Sequence, residues 1–284
     1  MPLLIHAFER LGRRALRKRG VVGREVATGR ARLHVYDVRG GGELPPIVVL
    51  HGIGSSATAF APVLARLAKR TSRLIAPDLP GHGFSPELGR RLTVAELLAT
   101  MTSALDELIG DQPAIVVGNS LGGAIALHYA VRRPQRVRAL AMISPAGAHG
   151  SDDQWRALTA QFALRTARDG LGFVDKLYAK RPWFGRLLAR DIPALMARPC
   201  VQDILATAGN ADLPRPDDVR ALAMPTLLVW GREERLLPAW VLDYFRAHLP
   251  AHAVVDQPAG YGHCPHFDDP SGVARRICEL AATA

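Results

Sequence analysis

A serine flanked by glycines, Gly118-Asn119-Ser120-Leu121-Gly122, stands where the apolar run 114–117 gives way to a helical pattern rich in Ala and Leu. Strand, sharp turn and helix with a hydroxyl at the apex is the arrangement of a nucleophile elbow. The glycines have a physical reason: where strand and helix pass so closely, a Cβ at position 118 or 122 has no room. A serine hydroxyl is a weak nucleophile at its free pKa, so it needs a neighbouring base, itself oriented by an acid. On a sheet carrying such an elbow, the acid and then the base follow the serine along the chain. For the base, His263 in Ala259-Gly260-Tyr261-Gly262-His263 follows the last strand pattern, with His266 as its nearest rival. For the acid, Glu234 in Trp230-Gly231-Arg232-Glu233-Glu234 follows the preceding strand; Glu233, Asp152 and Asp153 are the alternatives. The oxyanion of an acyl-transfer intermediate needs preorganised donors. The Leu121 amide, opening the elbow helix, is one. The second is expected from the loop after the strand at 47–50, at Ile53 with Gly54 as the alternative. His51 reads as structural, and Cys264 has no base of its own and reads as loop filling.

The elements that must position these groups alternate. Apolar strand patterns at 32–38, 47–50, 73–77, 114–117, 137–143, 225–230 and 253–255 are separated by helical patterns, which predicts a mostly parallel sheet covered on both faces. Thr93 with Glu96 reads as a capping box opening one of these helices. Residues 148–215 break the rhythm: no strand pattern, repeated Gly and Pro, and six aromatics, Trp155, Phe162, Phe173, Tyr178, Trp183 and Phe184. They read as a helical insert between two strands of the sheet. The organisation expected is an N-terminal basic amphipathic helix within 1–31, a catalytic core of 32–147 and 216–284, and a helical insert of 148–215.

The 284 residues suffice for one large domain with an insert, and 48% apolar with 22% charged residues is ordinary for a globular protein. The net charge of +10 is concentrated: residues 1–32 hold nine basic and two acidic residues, so +7 of it lies there. Without aromatics interleaved among those basic residues, no nucleic-acid partner is expected. Residues 3–19 place Leu4, Phe8, Leu11 and Ala15 on one helical face and Arg10, Arg13, Arg14 and Arg17 on the other. Such a helix either covers the core or touches an anionic membrane surface peripherally. Three scattered cysteines, Cys200, Cys264 and Cys278, suggest neither disulfides nor a metal site, and a cytoplasmic setting fits them. No cofactor motif is present, and the sequence does not speak to oligomeric state.

Together His51-Gly52-Ile53-Gly54, Asp78-Leu79-Pro80-Gly81-His82-Gly83-Phe84-Ser85, Gly118-Asn119-Ser120-Leu121-Gly122-Gly123, Trp230-Gly231-Arg232-Glu233-Glu234 and Gly262-His263 resemble the α/β-hydrolase superfamily. Within it the chain looks most like lidded carboxylesterases and monoacylglycerol-type lipases, with meta-cleavage-product C–C hydrolases as near relatives. The resemblance implies a Ser120–His263–Glu234 triad, a structural turn role for Asp78, residues 148–215 as a lid, and a small-molecule ester as substrate; the aromatics of 148–215 suggest that the ester is hydrophobic. Three departures stand out. Glu234 occupies a place more often held by Asp, the loop after His51-Gly52 lacks the Gly-Gly-Pro-Gly run common in the C–C hydrolases, and Cys264 replaces their usual Trp.

Overall fold

The computed structural model describes residues 2–284. In chain order the elements begin with α1 (Leu3–Arg17), β1 (Gly23–Ala27), β2 (Arg32–Arg39), β3 (Ile47–Leu50), a 3₁₀ turn at Ala57–Phe60, α2 (Ala61–Leu67) and β4 (Arg73–Pro77). Then come α3 (Val94–Ile109), β5 (Ala114–Asn119), α4 (Leu121–Arg132) and β6 (Val137–Ile143). Five helices follow without a strand: α5 (Asp152–Ala160), α6 (Ala167–Leu177), α7 (Gly185–Leu188), α8 (Ile192–Met196) and α9 (Pro199–Thr207). The chain closes with α10 (Pro216–Arg220), β7 (Thr226–Val229), α11 (Ala239–His248), β8 (Val254–Asp256), α12 (Pro265–Asp268) and α13 (Pro270–Thr283). The insert is therefore helical, as its sequence pattern requires.

The eight strands form one sheet in the order β1-β2-β4-β3-β5-β6-β7-β8. β1 and β2 pair antiparallel, as do β2 and β4, and all later pairs are parallel. Both faces are covered, which is why the central strands are apolar throughout rather than alternating. In β3, Ile47 and Val49 pack into the layer formed with α2 and α13, while Val48 and Leu50 pack into the opposite layer with α3 and α4. β4 and β5 flank β3 on opposite sides, so the crevice beyond the carboxyl ends of β3 and β5 is a topological switch point, the place where α/β sheets bind ligands.

β1 is an element that the pattern at 1–31 does not disclose. Its burial is weak and irregular along its length, as befits an edge strand, and Gly23 sets the chain against His34 and Tyr36 of β2. The sheet thus starts at Gly23, inside the segment expected to precede the core. Thr93 does cap α3, accepting from the Glu96 amide, but the Glu96 side chain turns instead to Arg30, Arg90 and Thr100, so the capping box is half formed.

Next to the switch point, Asp78 ties three segments together. Its carboxylate accepts from the Ala57 amide (2.7 Å) and the Phe84 amide (3.0 Å), and it pairs with His34 Nδ1 (3.1 Å). Gly83, with φ +53°, packs so closely on Asp78 that an added Cβ would fall 2.5 Å from its carboxyl carbon. His51 donates from Nδ1 to the Gly52 carbonyl (2.8 Å) and accepts the Leu79 amide at Nε2 (2.9 Å). That pattern is available only to a neutral ring, and burial holds the His51 pKa below its usual value.

Burial pushes His82 and His266 down to about 3 each. Above pH 6.5 both states of the chain carry these rings neutral, so this stability is fully present. Below 6.5 only the unfolded state takes up the protons, and stability declines until about pH 3, by up to about 1.4 kcal/mol per pH unit for each ring. Denaturant midpoints should accordingly be flat from pH 8.5 to 7 and fall steadily from 6.5 to 4.5, with a shallower fall in His82→Leu. A flat profile down to pH 4.5 would contradict the assignment.

Candidate active site

β5 delivers Ser120 to the apex of the expected turn. Its backbone lies at φ 54°, ψ −118°, a region L-residues rarely occupy, and it opens α4. Strain of this kind costs about 1–3 kcal/mol and persists only where surrounding structure over-determines it. That surrounding structure is visible. The Ser120 amide donates to the Ile143 carbonyl (3.1 Å), and its own carbonyl accepts from Gly123, Ala124 and Ala146. A Cβ on Gly118 would lie 2.0 Å from the Gly122 carbonyl oxygen, and one on Gly122 would lie 2.3 Å from that of Leu50. Only glycine at both positions lets β3, β5 and α4 meet backbone to backbone.

The loop after β3 runs directly over the serine: a Cβ on Gly52 would sit 3.2 Å from the Ser120 Cβ. Gly52, Ile53 and Gly54 all line the same cavity as Ser120. Leu121 is the first residue of α4, where a helix amide has no partner within its own helix. The two amides expected to meet an oxyanion therefore belong to backbone that borders the serine.

Glu234 and His263, 29 residues apart, meet at the carboxyl ends of β7 and β8. His263 Nδ1 is 2.8 Å from Glu234 Oε2, with both side chains almost fully buried. The other carboxylate oxygen accepts the Leu236 and Leu237 amides (2.8 and 3.0 Å). Burial alone would raise the Glu234 pKa, but the His263 charge and hydrogen bond, the Leu237 amide and the adjacent Ser144 hydroxyl outweigh it, and the group sits below its usual value. An ionised carboxylate can only accept, so Nδ1 is the donor to it, and in the neutral ring Nε2 is then the accepting nitrogen. Asn119, next to the serine, donates through Nδ2 to the His263 carbonyl (3.0 Å) and so ties the histidine loop to the elbow. The Gly262 amide on Asp268 (2.8 Å) and the Cys264 amide on the Leu177 carbonyl (2.8 Å) hold the loop from the other side.

The alternatives fall elsewhere. Glu233 accepts the Gly260 amide near the surface (2.8 Å), and Asp152 and Asp153 are exposed in the first turn of α5. His266 stacks on Phe60 with ring centroids 3.8 Å apart and leaves Nδ1 without a partner. Burial raises the Cys264 thiol well above its usual range, which keeps it protonated and a poor nucleophile.

Sequence reasoning did not single out Asn119 as a tether or Ser144 as a neighbour of Glu234. Ser144 carried a signal in retrospect, standing at the carboxyl end of β6 level with the elbow. It is fully buried at φ 39°, and its hydroxyl makes no hydrogen bond of standard geometry.

The cavity over these groups has a volume of about 470 Å³. Its lining includes Phe162, Phe173, Tyr178, Phe184 and Met196 of the insert and Phe8 of α1. Of the six insert aromatics, four line the cavity, Trp155 instead pairs with Trp240, and Trp183 is 88% exposed.

Residues 45–270 match the family model for the alpha/beta hydrolase fold. The chain belongs to the α/β-hydrolase family. This hydrolase is 35% identical over 269 residues to a pimeloyl-[acyl-carrier protein] methyl ester esterase of Xanthomonas campestris pv. campestris, covering 88% of this chain and 99% of that one. It is 30% identical over 276 residues to a 2-hydroxymuconate semialdehyde hydrolase of a Pseudomonas species, covering 89% and 90%. Among solved structures it resembles a carboxylesterase of Bacillus subtilis with a TM-score of 0.78 at 21% identity, over 100% of this chain and 99% of that one. That likeness is one of fold.

Glu234→Ala should lower kcat/KM by at least about a hundredfold, since an unoriented imidazole loses its tautomer and its counter-charge. Glu233→Gln should stay within about threefold of the native chain. Equal losses in the two variants, read with a soluble p-nitrophenyl ester, would show that the wrong carboxylate has been chosen.

Proposed function

We propose that this hydrolase is a serine carboxylic-ester hydrolase acting on hydrophobic, uncharged esters through a Ser120–His263–Glu234 triad. The observation that carries the reading is the buried 2.8 Å pair of His263 Nδ1 and Glu234 Oε2 on the same cavity as a serine held at φ 54°. Ser120 Oγ bonds to the ester carbonyl carbon while His263 Nε2 takes its proton. The oxyanion that forms is met by the amides of Ile53 and Leu121. As the tetrahedral centre collapses, the C–O bond breaks and the alcohol leaves with the proton from Nε2. A water then repeats the sequence on the acyl-enzyme, giving up its proton to Nε2, and the acid departs as Ser120 recovers its own. Glu234 stays ionised throughout, holding the tautomer and stabilising the imidazolium. The insert 148–215 serves as a lid, supplying the aromatic wall against which an acyl chain packs.

The relative that hydrolyses a muconate semialdehyde supports a second reading, C–C bond cleavage of a vinylogous diketone by the same triad. Two features favour the ester. Among the described residues the cavity lining contains no Lys or Arg, while it does contain Glu9, which pairs with His6 at 2.9 Å and whose pKa burial raises. An anionic dienoate would find no cationic partner there, and burying an unpaired charge is costly. The departures at Cys264 and after Gly52 point the same way.

A fluorophosphonate should label the native chain, leave Ser120→Ala unlabelled, and label Cys264→Ala as fast as the native chain. Neutral p-nitrophenyl acyl esters should be turned over in preference to a meta-cleavage dienone. Preference for the dienone would replace the ester reading by the second one, and labelling that survives Ser120→Ala would remove both.

A further inference from the structure

α1 is more than a cover for the core. Its inner face, with Ile5, Phe8, Gly12 and Ala15, lines the cavity, and Leu16 is fully buried beneath. It lacks a capping side chain of its own, and Asp191, just ahead of α8, caps it instead, accepting the amides of Leu4 (2.6 Å) and Ile5 (3.1 Å). The apolar side of this helix is therefore occupied by its own domain.

The outer side is unusual. Leu3 is 73% exposed and Leu11 57%, and helical geometry sets them on the same side as Arg10, Arg14, Arg17 and Lys18, all exposed. α7 lies against α1, and the segment leading into it carries Trp183, 88% exposed, followed by Leu187 at 40%. Lys180, Arg186 and Arg190 are exposed in the same stretch. Among the described residues none of these seven cations forms an ion pair. The third element is α12, whose Phe267 is 39% exposed and lines the cavity as well, as Leu11 does. A residue that is both exposed and cavity-lining marks the mouth. Phe184 joins the three elements there, with ring centroids 5.2 Å from Phe8, 5.5 Å from Trp183 and 6.5 Å from Phe267.

We infer that this rim, formed by the outer face of α1, residues 180–190 and Phe267, docks on an anionic lipid bilayer and opens the cavity directly onto it. Large apolar side chains held in water around an opening are costly unless something covers them. A Trp beside Leu, interleaved with unpaired Arg and Lys, matches the boundary between acyl chains and anionic headgroups, where the rings and leucines enter and the cations meet phosphates. An acidic protein partner would match the cations but would leave the exposed Leu and Trp without a reason. The binding surface stands apart from the reaction; only the passage of an ester from the bilayer into the cavity rests on the proposed function.

Flotation of the full chain with vesicles tests this, because it reads binding rather than turnover. The chain should float with phosphatidylglycerol–phosphatidylcholine vesicles and far less with phosphatidylcholine alone. It should be released as salt rises toward 1 M, where the screening length falls to about 3 Å. The triple variant Arg10→Glu, Arg14→Glu, Arg17→Glu should lose about a hundredfold or more in partitioning, and Trp183→Ser about tenfold. Hydrolysis of a short soluble ester should be unchanged in both variants, showing that they fold. The inference fails if the native chain floats with neither vesicle, if the variants float as it does, or if an acidic carrier protein binds these arginines while vesicles are ignored.

Discussion

Backbone meets backbone around Ser120 with no side chain between, and the rest of the site depends on that approach. Gly118 and Gly122 let α4 start against the carbonyls of β3 and β5, and four backbone hydrogen bonds keep the serine at φ 54°. Once this corner is fixed, the parallel sheet does the remaining positioning. Loops from β3, β6, β7 and β8 all emerge at the same edge, so Ile53, Ser144, Glu234 and His263 reach one crevice from four separate stretches of chain. The candidate site lies at that edge, where α/β sheets bind ligands, while both faces of the sheet are committed to the core.

The electrostatics follow from burial. Glu234 is stable as a carboxylate in an almost dry place only because two amides and the histidine ring surround it. Cys264 and His266 are in the same shell without such partners, and the same burial keeps the first protonated and the second neutral. Glu234 is thus the one ionised member of a shell of otherwise neutral groups, and through Nδ1 it fixes the orientation of the His263 ring.

Much of this could be read from residue types. The elbow is legible because strained turns and close packing permit few residues, and the strand–helix alternation is legible because two-sided burial demands continuous apolar runs. Glu233 and Glu234 are neighbours in one loop, and that the second meets His263 while the first meets the Gly260 amide needs coordinates. β1 was hidden because an edge strand buried only in part has no periodic signature. Ser144 and Asn119 were hidden for a different reason: their roles lie in contacts between loops more than twenty residues apart, and no local pattern records those. The amphipathic pattern of α1 was clear, but its partner was not. The apolar face that could have suggested a membrane lines the cavity over Ser120, and the residues left for an outside partner are those on its polar side.

The convergence of three distant side chains on one carbonyl carbon is tested most directly by the crystal structure of the chain inhibited with a phosphonate that mimics the tetrahedral intermediate. Phosphorus should be bonded to Ser120 Oγ, one phosphoryl oxygen should lie about 2.7–3.1 Å from the amides of Ile53 and Leu121, and His263 should remain paired with Glu234. A phosphoryl oxygen turned away from those amides, or an adduct on any other residue, would contradict the account.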